Sequence, residues 1–165
     1  PADQGPDLWS LLKSVGAVEC GLGSRDVLRL EAGLPLHGND LSPSTNPFEA
    51  GFGRFVYIQA PGYVAGDALM QISTSESQRL LIGFKMIGRG IPRSGLRILS
   101  CLSDQDTCCV IGTVTSGTYS PTVDGGIGMG YVDRKYSEAG KQIVIDVRGR
   151  LVEAEIVKLP FYKPV

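Results

Sequence analysis

Glu31 is the residue whose type and position most invite chemistry. It follows Leu28 by three positions and Val27 by four, so on a helix it stands beside an apolar face. A carboxylate there is costly unless it is paired or hydrogen-bonded. Two readings follow. One is an ion pair with Arg25, Arg29 or Arg54; the other is a carboxylate that accepts two adjacent N–H donors of a planar ligand. His37 is the only histidine and invites a general-base role by type alone. Cys20, Cys101, Cys108 and Cys109 show neither CxxC nor Cys/His spacing for zinc, so no metal site is expected, only reduced, mostly buried thiols of the kind a reducing cytosol keeps. The basic residues Arg79, Lys85, Arg89, Arg93 and Arg97 read as solvated surface charge.

These residues sit in a chain of 165 residues, enough for one medium domain or two small ones. Sixteen basic and seventeen acidic residues leave a net charge of -1, which argues against nucleic-acid capture by a dense basic face. No apolar run approaches the roughly 18 residues that span a bilayer. The start, Pro1 to Pro6, lacks the basic and apolar regions of a signal peptide. A cytoplasmic protein with no membrane partner is expected.

The elements that must position Glu31 are helical. Asp7 can cap a helix bearing Leu8, Leu11, Leu12 and Val15, with Gly16 as its stop. Ser24 is a second N-cap candidate, for a helix running through Val27, Leu28 and Leu30 to Gly33. A loop of turn formers covers 38–47, a short strand is expected at Phe55–Ile58 and a helical turn at Asp67–Ile72. Beyond about residue 78 the period changes, with short apolar runs at 80–87, 96–101, 108–115, 127–132, 142–148 and 151–158. The last two alternate cleanly and are joined through Arg148-Gly149-Arg150, a hairpin signal with a turn short of the ideal type. Six short strands suggest a small closed barrel or sandwich. The polar run Ser73 to Gln78 marks the boundary, giving two regions, 1–75 and 76–165.

Several segments, in order, resemble one family. Gly21-Leu22-Gly23-Ser24-Arg25-Asp26-Val27-Leu28-Arg29-Leu30-Glu31-Ala32-Gly33 is similar to a G-L-G-A-R-D-x-L-R-L-E-A-G segment of the folate-dependent aminomethyltransferases, the T-proteins of the glycine cleavage system. Leu36-His37-Gly38-Asn39-Asp40 resembles the continuation L-[YH]-G-x-[DE], and Asn46 to Gly51 a T-x-P-x-E-A-G stretch. Gly88-Arg89-Gly90-Ile91-Pro92-Arg93-Ser94-Gly95 and Ile111-Gly112-Thr113-Val114-Thr115-Ser116-Gly117-Thr118-Tyr119-Ser120-Pro121 follow in register. Gly128-Met129-Gly130-Tyr131-Val132 and Val157-Lys158-Leu159-Pro160-Phe161-Tyr162 complete the series.

The resemblance implies an α+β fold: the end of a folate-binding α/β region at 1–75, followed by a six-stranded antiparallel C-terminal β-barrel at 76–165. It also implies that Glu31 holds the pterin ring of tetrahydrofolate and that Lys163 stands near the folate tail. His37 matches a position more often Tyr, a wall residue and not a base. The family reaction moves an aminomethyl group from the lipoyl arm of a carrier protein to tetrahydrofolate. Full-length members are about twice this long, and the half that carries the catalytic aspartate has no counterpart here. No catalytic residue is therefore assigned, and the partners implied are folate, the lipoyl carrier protein and a separate N-terminal half. Tyr57, Ala60 and Gly66 stand where the family usually has lysines, which keeps open a folate-dependent demethylase or a folate module of a dimethylglycine-type dehydrogenase; a rival of another class is a non-enzymatic folate-binding remnant that pairs with a separate N-terminal chain.

Overall fold

The computed structural model describes residues 1–59, 62, 64–75, 77–101 and 108–163, with the side chain of Cys101 excepted. Ala60 and Glu76, which bear on the lysine replacements and the boundary run, lie outside the described residues.

Six strands close into an antiparallel barrel: β1 (Arg79–Met86), β2 (Arg97–Cys101), β3 (Cys108–Ser120), β4 (Gly125–Asp133), β5 (Gln142–Val147) and β6 (Arg150–Val157). The order around the barrel is β1-β4-β3-β2-β5-β6, returning to β1. Each strand matches one of the apolar runs expected from sequence. Closure leaves no sheet edge open, which a short isolated sheet would have to protect in another way. Inside lie Ile82, Phe84, Ile98, Ile111, Val114, Val132, Ile143, Ile145, Ala154 and Ile156. Each large apolar side chain in that interior contributes roughly 1.5–3 kcal/mol through removal from water.

The β5–β6 hairpin corrects one expectation. Val147 pairs with Arg150, so the turn is the two residues Arg148 and Gly149, with φ of 56° and 87°. Positive φ at both central residues is the geometry whose twist suits a hairpin, despite an Arg at the first position. Asp146 Oδ1 accepts the Gly149 N–H at 2.7 Å and Asp146 Oδ2 accepts from Arg97 at 2.7 Å, so side chains hold the turn.

β4 alternates glycine with large residues because both of its faces are covered. A methyl group on Gly128 would lie 2.5 Å from the Phe84 ring, and one on Gly130 2.9 Å from Ile98 Cδ1, so these positions face the crowded interior. Ile127 and Met129 point the other way, into a second core with Leu30 and Phe161.

Leu30 belongs to α2 (Leu22–Glu31), which lies on the outside of the barrel against β3 and β4. The helix starts two residues before the expected Ser24 cap, from Gly21. Leu28 also departs from expectation, being 64% exposed, while Leu30 and Glu31 form the buried face. α1 (Gly5–Ser14) forms with Gly16 in the left-handed region beyond its end, but its stripe of Leu8, Leu11, Leu12 and Val15 is exposed. The turn at Asp67–Ile72 is a full helix, α3 (Gly66–Thr74). The strand expected at Phe55–Ile58 is absent: a 3₁₀ turn covers Gly53–Phe55 and an irregular segment follows. Phe55 and Tyr57 are exposed there, and no strand among the described residues pairs with this segment.

The expectation of reduced, mostly buried thiols fails on both counts: Cys108 is disulfide-bonded, and the free Cys20 and Cys109 are exposed. The thiol argument for a reducing compartment therefore does not hold at that position. No helix among the described residues is long and apolar enough to cross a membrane.

Candidate functional site

Glu31 closes α2 and is 4% exposed. None of the three arginines considered from sequence is its partner. Arg54 stacks over the Phe55 ring, and Arg29 is engaged elsewhere. The Glu31 carboxylate instead accepts a hydrogen bond from the Ser120 hydroxyl, at Oε1, from the far end of β3. Among the described residues Oε2 takes no hydrogen bond. A buried carboxylate with one oxygen fixed and one open is the arrangement a ligand with N–H donors can complete.

The backbone around Glu31 is fixed as closely. Its carbonyl accepts the Tyr162 N–H at 3.1 Å, which ties the C-terminal segment to the end of the helix. Gly33 makes that approach possible: its φ is +67°, and a Cβ there would lie 3.0 Å from Leu159 Cβ and 3.3 Å from Pro160 Cα. Lys163, one residue beyond Tyr162, is exposed and has no side-chain partner among the described residues. The fold thus brings the chain segments of Glu31 and Lys163 together. His37 is exposed and makes no side-chain hydrogen bond among the described residues; its backbone forms a bridge with Leu41.

Sequence reasoning missed the most heavily bonded group in this region, Asp40. It is 1% exposed and accepts from Arg29 Nη1 at 2.8 Å, the Leu36 N–H at 2.8 Å and the Ser116 hydroxyl at 2.9 Å. The Thr115 hydroxyl donates to its other oxygen. Adjacent strand residues ordinarily face opposite sides of a sheet. Here the pairing runs from Val114–Gly130 to Ser116–Met129, so Thr115 is the extra residue of a bulge and both hydroxyls reach one carboxylate. Arg29 completes the group by donating to Ser116 Oγ at 2.8 Å and Asp26 Oδ1 at 2.8 Å. The acidic last position of the Leu36-His37-Gly38-Asn39-Asp40 motif was the only sequence signal for it.

A second tie lies on the same side. Glu49 accepts two bonds from Arg79, at 2.8 and 3.2 Å, and the Asn46 N–H at 2.8 Å, while Asn46 Oδ1 accepts the N–H groups of Phe48 and Glu49. The Arg79 guanidinium holds the Glu49 carboxyl below its usual range, against the opposing effect of burial. Arg79 also lies 4.8 Å from the centre of the Tyr131 ring, whose hydroxyl donates to the Asp40 carbonyl at 2.9 Å. Burial pushes the Tyr131 phenol up to about 12, so it remains a donor over the physiological range.

Of the basic residues read as surface charge, Arg79 and Arg97 are paired with carboxylates, and Arg93 donates to the Gly117 carbonyl. Among the described residues no group of three or more His, Cys, Asp or Glu side chains could hold a metal ion.

Comparison with known proteins agrees with this architecture. Residues 79–163 match the glycine cleavage T-protein C-terminal barrel domain. The chain belongs to the glycine cleavage T-protein family. Residues 1–60 match the N-terminal domain model of the same family. An aminomethyltransferase of Synechococcus elongatus is 41% identical over 157 residues, covering 94% of this chain and 41% of that protein. One of Halothermothrix orenii is 42% identical over 163 residues, with 96% and 44% covered. The crystal structure of glycine cleavage system aminomethyltransferase T from Bartonella henselae superposes with a TM-score of 0.85 at 31% identity, covering 98% of this chain and 45% of that one. The chain therefore spans under half the length of these relatives.

Proposed function

We propose that this chain supplies the pterin-binding carboxylate and the bracing barrel of a tetrahydrofolate-dependent aminomethyltransferase. The observation that carries the reading is the Glu31 carboxylate: buried, fixed at Oε1 by Ser120, and open at Oε2. A pterin offers an amino group and a ring N–H on one edge, a donor pair that such a carboxylate accepts. We assign Lys163 to the carboxylates of the folate tail; its exposure, and the absence of a partner among the described residues, support that role.

In this reading an aminomethyl group on the lipoyl arm of a carrier protein passes to tetrahydrofolate, with release of ammonia. The residues here bind and orient; the proton-transferring acid is assigned to the half of the longer relatives that this chain does not span. The exposed stripe of Leu8, Leu11, Leu12 and Val15, with Leu22 and Leu28 on α2, supports a partner region packed against these helices. We further propose the division into a folate-region end, 1–75, and a barrel, 76–165.

The test is Glu31→Gln in protein that includes the preceding half. The substitution keeps the shape but turns one acceptor into a donor facing the pterin's own donor. Tetrahydrofolate affinity should fall roughly 30- to 1,000-fold, about 2–4 kcal/mol, with little change in unliganded stability. An unchanged dissociation constant would reject the assignment. The chain by itself should transfer no one-carbon unit when given tetrahydrofolate and an aminomethyl-loaded lipoyl protein.

A further inference from the structure

We propose that Ser120 is a positioning residue for the folate-binding carboxylate, holding Glu31 so that Oε2 faces the incoming ligand. The inference rests on the assignment of Glu31 made above.

Ser120 ends β3 opposite Gly125 and is wholly buried. Its hydroxyl has one proton to give and lone pairs to receive with. The Val123 N–H donates to Ser120 Oγ at 3.0 Å, so an amide occupies the accepting side. The single proton then goes to Glu31 Oε1, the only acceptor bonded to it among the described residues. The turn carrying that amide is itself tied, since the Tyr119 hydroxyl donates to Asp124 Oδ1 at 2.5 Å.

The consequence for Glu31 is orientational. The terminal torsion of a glutamate is broad and nearly two-fold, so packing alone sets the carboxylate plane weakly. A donor aimed from a fixed turn sets it firmly. It also leaves the two oxygens unequal, Oε1 already engaged and Oε2 free of any bond among the described residues. Ligand binding then requires no carboxylate rotation, and preorganisation of this kind appears as affinity.

A merely structural Ser120 would tie the β3–β4 turn and nothing more. The two roles separate in a double-mutant cycle on tetrahydrofolate binding, measured in protein with the preceding half present. Ser120→Ala should raise the dissociation constant about tenfold. In a Glu31→Ala background, with no carboxylate left to orient, the same change should alter it by less than about twofold. A Ser120→Ala dissociation constant equal to wild type, with Glu31→Ala still weakened, overturns the proposal and leaves the Glu31 reading standing. An equal tenfold loss in both backgrounds overturns it too, because Ser120 would then act apart from Glu31. Unchanged binding in Glu31→Ala removes both readings together. Should Ser120→Ala fail to fold, Ser120→Cys keeps the shape with a much weaker donor. It should also weaken binding, and wild-type affinity in that variant overturns the proposal.

Discussion

Replacing Asp40 should damage this protein more than any surface charge. Its side chain is 0% exposed, and that of its partner Arg29 only 9%. Screening by water is therefore small, and Coulomb attraction and desolvation are both large. Asp40→Ala removes the acceptor for Arg29, the Leu36 N–H and the two hydroxyls of Thr115 and Ser116. Breaking one side of a buried pair costs about 3–5 kcal/mol, mostly from the group left behind. Arg29 keeps Asp26 at 2.7 Å and the Leu34 carbonyl at 3.2 Å, so its charge is not wholly stranded. That places the expected loss near the lower end, about 3 kcal/mol. With a urea slope of about 2 kcal/mol/M, the midpoint should fall by about 1.5 M. The control is Arg97→Ala, which breaks the Asp146 pair where the arginine side chain is 64% exposed. Exposed pairs contribute about 0–1 kcal/mol, so that midpoint should move by less than about 0.5 M. Equal shifts for the two variants would refute the reasoning, since burial would then not govern the outcome. Arg29→Met alone should cost about as much as Asp40→Ala, and the double variant well below the sum of the two.

Acid should act through Glu49. Because Arg79 lowers its carboxyl below the ordinary 4.5, the folded state binds fewer protons than the unfolded chain in that range. The stabilisation is present above about pH 4.5 and is lost as pH falls through the depressed folded value; Glu49→Gln should cost about 1 kcal/mol at pH 7, with the gap to wild type closing below pH 4.5 in urea melts. Limited proteolysis should nick the Ser73–Gln78 run, and the two pieces should stay together through the Leu30, Ile127, Met129 and Phe161 core and the Arg29–Asp40–Ser116 bonds. Separation of the pieces by gel filtration without denaturant would show that these contacts do not hold the regions together.

The six strands were legible in the sequence because strand pattern is local: apolar runs rich in Val and Ile, interrupted by glycine and polar turns, announce themselves residue by residue. The burial of Glu31 was legible too, although the reason lay with Leu30 on the barrel side and not with Leu28, which is exposed. What surrounds Glu31 was not legible. Its partner, Ser120, is 89 residues away, and Asp40 meets hydroxyls 75 and 76 residues on. The bulge that turns Thr115 and Ser116 toward one carboxylate depends on how β3 registers against β4, which no stretch of either strand specifies alone. The glycine alternation of β4 had the same character: it could be seen, but its cause is that Phe84 and Ile98 crowd one face while α2 covers the other. Local propensity and period determined which elements form. Barrel closure and the seating of α2 decided which polar groups meet, because those meetings depend on register and depth of burial.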